Sequence, residues 1–388
     1  MTKFLSLLAA SLAAVSAVAA QSFGEQVLSA LRQNNLTALA DVVQQNPSLV
    51  EALQSSGNKT VLAPTNQALQ AAGQLPSAND LVRLITYHVL NGTWTNDRID
   101  DDDNERIAAS TLLTDGVRLP GNRSQVVILD REGDDDNERS FVIGTNSNVS
   151  FVSDNDGPAL GSILVQPISG VLTIPRNLST TLGNISDSSS LVSALQQANL
   201  VNALDNARGL TVFVPNNGAF QSAQQAIGGA TPEQVVAVLS NHVINGTVVY
   251  SFQLEGDDDN DDGGARVRNA TTASGQQLTF EEDDDEIYVR SGDIRARIVR
   301  SDVLTNNGVV HVIDQVLLNT ATNQTAANEA ADDAADNAQT AAPPGSTGTT
   351  GSGSGSGSGG RMDGAQQLAS IGVAGLLAVV ASAAFTLA

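Results

Sequence analysis

Thr60-Val61-Leu62-Ala63-Pro64-Thr65-Asn66-Gln67-Ala68-Leu69 returns later in the chain as Thr211-Val212-Phe213-Val214-Pro215-Asn216-Asn217-Gly218-Ala219-Phe220. Each copy is a short apolar run stopped by Pro. Asn and a small-residue segment follow, and a large apolar side chain closes it. This reads as a buried strand turning sharply into a short helix. The recurrence says that the chain contains two versions of one domain.

Further anchors test the duplication. Val27–Leu36 matches Leu191–Leu200 at an offset of 164, and Pro64 matches Pro215 at 151. His88-Val89-Leu90-Asn91-Gly92-Thr93 matches His242-Val243-Ile244-Asn245-Gly246-Thr247 at 154, and Val165–Leu172 matches Val310–Leu317 at 145. The order is kept while the spacing drifts, so insertions sit between anchors. The largest lies in the first copy between its opening helix and its Pro, where Pro47–Leu53 predicts an extra or longer helix.

Capping boxes are expected at Ser22 with Glu25, at Ser77 with Asp80, and at Thr231 with Gln234, where Pro232 takes the first helical position. Asn66 and Asn217 are placed to satisfy backbone groups where strand becomes helix. The back half of each copy reads as strands. Val126–Leu129, Phe141–Ile143 and Val149–Val152 are short apolar runs between turn residues, as is Ile287–Val289, and Ile294–Ile298 alternates with period two. Each copy is helical in front with a β-meander or sandwich behind, an α+β class.

Composition sets bounds. A chain of 388 residues accommodates two domains. Apolar residues make up 41% but aromatics only 3%, so the cores are built from Leu, Val, Ile and Ala. A net charge of −23 argues against nucleic acid as a partner and discourages non-specific contact with anionic lipid. The absence of cysteine excludes a disulfide framework, a thiolate nucleophile and a Cys-based zinc site.

The flanking segments read as addresses. Residues 1–20, with Lys3, an apolar run and small residues before Gln21, form a secretory signal peptide. Residues 321–360 are Ala, Asn, Thr, Gly and Ser without apolar periodicity, and are expected to be a disordered stalk. Residues 361–388 combine a polar spacer with a hydrophobic tail, the pattern of a glycosylphosphatidylinositol attachment signal. Ser358 is the preferred attachment residue, with Gly364 as the fallback. The alternative for the tail is a true membrane span.

The anchors resemble the fasciclin domain, whose pattern is T-V-F-A-P-T-N-x-A-F, then a Tyr-His or His, then a closing N-G-V-I-H-V-I-D-x-V-L strand. The second copy carries Thr211–Phe220, His242 and Asn307–Leu317, and the first carries Thr60–Leu69 and Tyr87-His88. The first departs in its closing strand, where Gln166 stands in place of His and Pro167 and Ser169 interrupt the pattern; the second departs at Asn241, opposite Tyr87. The resemblance implies two domains, residues 21–176 and 177–320. It implies for each a wedge-shaped β-sandwich of about seven strands with helices along one edge. It also implies extracellular adhesion or matrix contact rather than catalysis.

Four residues near the repeated His are candidates for an adhesion motif: Tyr87, His88, Asn241 and His242. The competing reading is a buried imidazole that fixes a turn. Four acidic runs hold more than half of the 42 acidic residues. They read as hydrated hairpin loops, with Arg290, Arg295, Arg297 and Arg300 near the last of them. Within one, Asp258, Asn260 and Asp262 fit the opening of a calcium loop, but Asn269 stands where a bidentate Glu is needed, leaving at most a weak site. No hydrolase motif or metal-ligand spacing is present, so neither an enzyme nor a cofactor is expected.

Sequons begin at Asn35, Asn58, Asn91, Asn122, Asn148, Asn177, Asn184, Asn245, Asn269 and Asn323, predicting a heavily glycosylated surface. The sequence therefore predicts a glycosylated, lipid-anchored protein on the outer face of the plasma membrane or in the cell wall, with an extracellular protein or a wall polysaccharide as partner. The alternative is a module binding polysaccharide or a small apolar ligand.

Overall fold

The computed structural model describes residues 23–54, 57–74, 76, 78–99, 106–132, 139–144, 147–153, 155–254, 267–283 and 286–340. The signal segment, Ser22, Ser77, the calcium candidates Asp258, Asn260 and Asp262, and the attachment residues Ser358 and Gly364 lie outside the described residues.

The helices are α1 Phe23–Gln33, α2 Thr37–Gln45, α3 Pro47–Gln54, α4 Asn66–Ala72, α5 Ala78–Tyr87, α6 Asn96–Ile99, α7 Leu178–Asn184, α8 Ser189–Gln197, α9 Val201–Asn206, α10 Asn217–Ile227, α11 Pro232–Asn241 and α12 Gln324–Thr340. The strands are β1 Lys59–Pro64, β2 Val89–Asn91, β3 Arg106–Ser110, β4 Val126–Glu132, β5 Arg139–Val142, β6 Val149–Ser150, β7 Ala159–Leu160, β8 Ile163–Ile168, β9 Leu210–Pro215, β10 Val243–Asn245, β11 Asn269–Thr271, β12 Gln277–Asp283, β13 Glu286–Ser291, β14 Ile294–Thr305 and β15 Gly308–Ile313. The architecture is α+β. The described residues gather into two compact units, those within Met1–Glu105, Thr111–Leu113 and Leu129–Thr173, and those within Arg106–Ser110, Thr114–Ile128 and Ile174–Ala388.

In the first unit β1 is central in a sheet ordered β2-β1-β8-β7. It runs parallel to β8 from Lys59 opposite Ile163 to Pro64 opposite Ile168, and antiparallel to β2. A strand hydrogen-bonded on both edges and covered by helices is apolar almost throughout, as Val61-Leu62-Ala63 is. Val27, Leu31, Leu39, Val43 and Leu53 from α1–α3 pack on Ala63, Val89, Ile163 and Val165. Helix α3 is the extra helix that the longer spacing predicts. Pro167 does not break β8. On the edge where the Val165 N–H bonds Pro158 O, the Pro167 carbonyl still accepts the Val152 N–H at 2.9 Å and the Ser169 N–H bonds Ser150 O at 2.9 Å, so the ring removes one donor and the pairing continues past it. A further sheet is ordered β3-β4-β5-β6.

The second unit contains seven strands ordered β10-β9-β15-β14-β13-β12-β11. Strand β14 carries this sheet over on itself. Ile294–Arg297 pairs with β13 and Ile298–Thr305 with β15, with register shifts between Ile298 and Arg300 and between Arg300 and Val303. Phe213, Ile244 and Ile313 on one half then pack against Leu278, Phe280, Val289 and Ala296 on the other. The opposite face of β9 and β15, with Val212, Val214, Val310 and Val312, packs on Leu182, Leu191, Leu195 and Leu204. Helix α11 starts with the expected capping box of Thr231 and Gln234.

The stalk expectation is corrected at its start: residues 324–340 are helical. Ala dominates this segment, and Ala has the highest helix propensity. Asn323 Oδ1 accepts the Ala326 N–H at 3.2 Å and caps the first turn.

Candidate functional site: the histidine clasps

The repeated stretch and the repeated histidine build one device twice. Helix α5 ends at Tyr87, and the next residue, His88, is buried. Its Nδ1 lies 2.7 Å from the Leu84 carbonyl, and its Nε2 accepts the Leu172 N–H at 3.0 Å. Helix α11 ends at Asn241, and His242 is the C-cap. Its Nδ1 lies 2.7 Å from the Val238 carbonyl, and its Nε2 accepts the Leu317 N–H at 2.9 Å. Because Nε2 faces a donor in both, the ring proton sits on Nδ1 and donates to the carbonyl. Burial pushes both imidazoles down from 6.5 to about 4, against the smaller opposite pull of the carbonyl bond. Both are neutral at physiological pH.

The main chain completes the clasp. The Leu62 N–H bonds the His88 carbonyl at 2.8 Å, and the Phe213 N–H bonds the His242 carbonyl at 2.9 Å. Thr60 Oγ1 donates to Gly92 O and accepts the Trp94 N–H, each at 2.9 Å. Thr211 Oγ1 donates to Thr247 O at 3.0 Å and accepts the Val249 N–H at 2.9 Å. Thr60 and Thr211 are buried, so their hydroxyls act as internal pins.

Tyr87 and Asn241 are buried as well. Asn241 Nδ2 donates to Ser291 Oγ at 2.9 Å and to Leu317 O at 3.2 Å. All four adhesion-motif candidates therefore face the interior, two on each copy. Asn66 and Asn217 act differently from the expectation. The helix caps are Thr65 and Asn216, which accept from Ala68 and Ala219. Asn66 instead reaches across to α2, accepting the Ala38 N–H at 3.0 Å, and Asn217 accepts the Ser190 N–H of α8 at 3.0 Å.

His311 belongs to a separate buried group that the sequence did not reveal. Its Nε2 lies 2.9 Å from Val249 O, so it donates there, and its ring stacks on Phe213 at 5.6 Å. Burial lowers its pKa. Asp302, at φ 58, accepts the Ser251 N–H at 2.9 Å and Ser251 Oγ–H at 2.5 Å, with Arg106 at 3.5 Å. Ser251 bonds the carboxylate, not the imidazole, so Ser, His and Asp here form no nucleophilic relay. In the first copy Gln166 replaces the histidine: Oε1 accepts the Gly157 N–H at 2.8 Å and Nε2 donates to Asp156 at 3.1 Å.

The outer face of β12–β14 carries a charge ladder. Arg290 bonds Glu281 through two nitrogens at 2.7 and 3.1 Å, Arg295 bonds Glu281 at 3.2 Å and Asp283 at 2.8 Å, and Arg297 bonds Glu286. Arg295 also stacks 3.4 Å over the Tyr288 ring. The carboxyls of Glu281 and Glu286 are lowered by these bonds, Glu286 first by Tyr288 and then by Arg297. The last acidic run is thus partly neutralised by Arg290, Arg295 and Arg297, three of the four arginines named from the sequence. Among the described residues no cluster of three or more His, Cys, Asp or Glu forms a metal site, and no helix is long and apolar enough to cross a membrane. An apolar cavity of about 30 Å³ lies in the first unit among Val27, Leu31, Val43, Val61, Ile85 and Val165. It has room for about one water-sized group.

The class is that of a tandem α+β protein in which each copy is closed by a buried histidine. The fasciclin domain model matches residues 34–138 and 186–319, together more than half of the chain, and the chain belongs to that family. It is 26% identical over 316 residues to a fasciclin-like arabinogalactan protein of Arthroderma benhamiae, covering 79% of this chain and 68% of that one. It is 26% identical over 314 residues to the fasciclin-like arabinogalactan protein CTB11 of Cercospora beticola, covering 78% of each. A FAS1 domain pair from the insect cell adhesion molecule fasciclin I aligns at a TM-score of 0.36 and 17% identity, over 74% of this chain and 98% of that one.

Proposed function

We propose that the protein is a non-enzymatic adhesion or wall-organising component of the cell surface. The doubled fasciclin domain carries this reading, supported by the fasciclin-like arabinogalactan proteins that the chain resembles. The burial of Tyr87, His88, Asn241 and His242 adds a constraint. These side chains shape the edge of each copy rather than touch a partner, so recognition falls to exposed loops and to glycans on the sequons. The apolar composition of residues 368–388 supports lipid anchoring outside the cell.

The test is display of the full chain on a cell, with and without residues 361–388. Retention lost on truncation, together with adhesion to cells or wall material by the full chain, is the expected result. Adhesion no greater than that of undecorated cells overturns the reading. Capture by purified wall polysaccharide, without cell–cell adhesion, favours the ligand-binding alternative.

A further inference from the structure

Helix α12 lies on the second unit by its alanines. Ala327 is buried, and Ala330, Ala331, Ala334 and Ala338 are half-buried, while Glu329, Asp332, Asp333 and Asp336 face out or lie at the margin. This is a stripe at helical spacing made of methyl groups alone. It meets backbone. A Cβ on Gly246, at the end of β10, would lie 2.8 Å from the Ala334 Cβ. A Cβ on Gly121 would run into the Ala338 carbonyl. The entry to the helix is tied down by the Asn323 N–H, which bonds Ser274 O at 2.7 Å.

The place of docking is specific. Strands β10 and β11 are the two ends of the seven-stranded order, and the fold in β14 brings them together, with the Ala273 N–H bonding Val243 O at 2.7 Å. Gly246 follows one of these end strands and Ser274 the other. The helix therefore lies along the seam where both sheet edges finish. Open edges invite pairing with other chains, and a covering helix blocks it.

Its hold is weak by construction. Methyl groups bury little area each. No acidic residue stands in the first turn and no basic residue in the last, so nothing complements the helix dipole at either end. A 17-residue helix of this kind is marginal away from its seat.

We propose that α12 is a detachable strap. Docked, it closes the edge seam of the second unit. Released, it opens both end strands and adds its length to the chain that follows Asn323. The geometry is that of a segment with local opening well below global unfolding. This holds whether or not the chain is anchored to a membrane.

Hydrogen exchange on the full chain tests it, comparing amides 326–340 with those of β9 and β15. The strap exchanges through its own opening, faster than the strands but slower than an unstructured peptide. Ala334→Gln pushes a long side chain against Gly246 and raises strap exchange at least tenfold, leaving β9 and β15 unchanged. Ala335→Gln, on the exposed face, changes neither. Strap amides that exchange in step with the strands, or as fast as free peptide in the unaltered chain, overturn the proposal. So does an equal response to the two substitutions.

Discussion

His242 Nε2 accepts the main-chain N–H of Leu317 at 2.9 Å, a bond that ties the end of α11 to the segment leaving β15. His88 makes the same bond to Leu172 in the other copy. The bond requires a neutral ring, and this makes the fold sensitive to acid.

Both histidines have folded-state values of about 4 against 6.5 for the free group. The unfolded chain then binds more protons between these values, so stability is complete above pH 6.5 and falls as pH drops toward 4. Each ring contributes up to roughly 3 kcal/mol to that loss. Denaturant melts at pH 7.5, 6, 5 and 4.5 should show it. His242→Gln should be less stable at pH 7.5, with a shallower pH slope than the unaltered chain; parallel slopes would sink the assignment.

Thr60 Oγ1 serves a buried donor and a half-buried acceptor at once. Thr60→Val keeps the shape and leaves the Trp94 N–H and Gly92 carbonyl unmet, at a cost of about 2 kcal/mol. Thr211→Val should behave alike in the second copy. Thermal melts resolve a change of that size, expected at roughly 4–8 °C.

The first-unit cavity and the matching site of the second copy should respond oppositely. Val61 lines the cavity, while Val212, its repeat equivalent, sits in a core cluster. Val61→Ile should gain up to about 0.8 kcal/mol by filling space, and Val212→Ile should lose about 1–3 kcal/mol by overpacking. Equal effects in chemical denaturation would show that the two sites are packed alike.

Asn177 is the sequon expected to stay unmodified. Its Oδ1 caps α7 at Thr180, and its Nδ2 donates to Asp205 at 2.9 Å, the carboxylate that also holds Ser179. Asn58, Asn148 and Asn184 are exposed by contrast. Glycopeptide mass spectrometry should find sugar on those three and none on Asn177. Asn177→Ala should cost about 1 kcal/mol through the lost cap.

Much of the fold was legible because it rests on local rules. The apolar run before Pro64 and Pro215, the Thr231 capping box and the added helix at Pro47 all follow from propensity and spacing, and repetition doubled the first of these signals. The stalk misled because Ala-rich polar sequence fits disorder and helix equally, and the backbone of Gly121 and Gly246 that seats α12 is remote in sequence. The candidate site was half legible. Repetition marked Tyr87, His88, Asn241 and His242, but whether an imidazole faces solvent depends on Leu172 and Leu317, which no spacing connects to it.

The sequence by itself determined that there are two copies of one α+β domain, that one helix starts at the Thr231 box, and that the strands before Pro64 and Pro215 are buried, because those properties follow from neighbours along the chain. Only the tertiary structure decided that the repeated histidines are internal clasps, that Asp302 gathers Ser251 and Arg106, and that the helix 324–340 lies across a sheet seam. Each of these depends on hydrogen bonds or contacts between distant segments, and such partners are fixed only when the chain has folded.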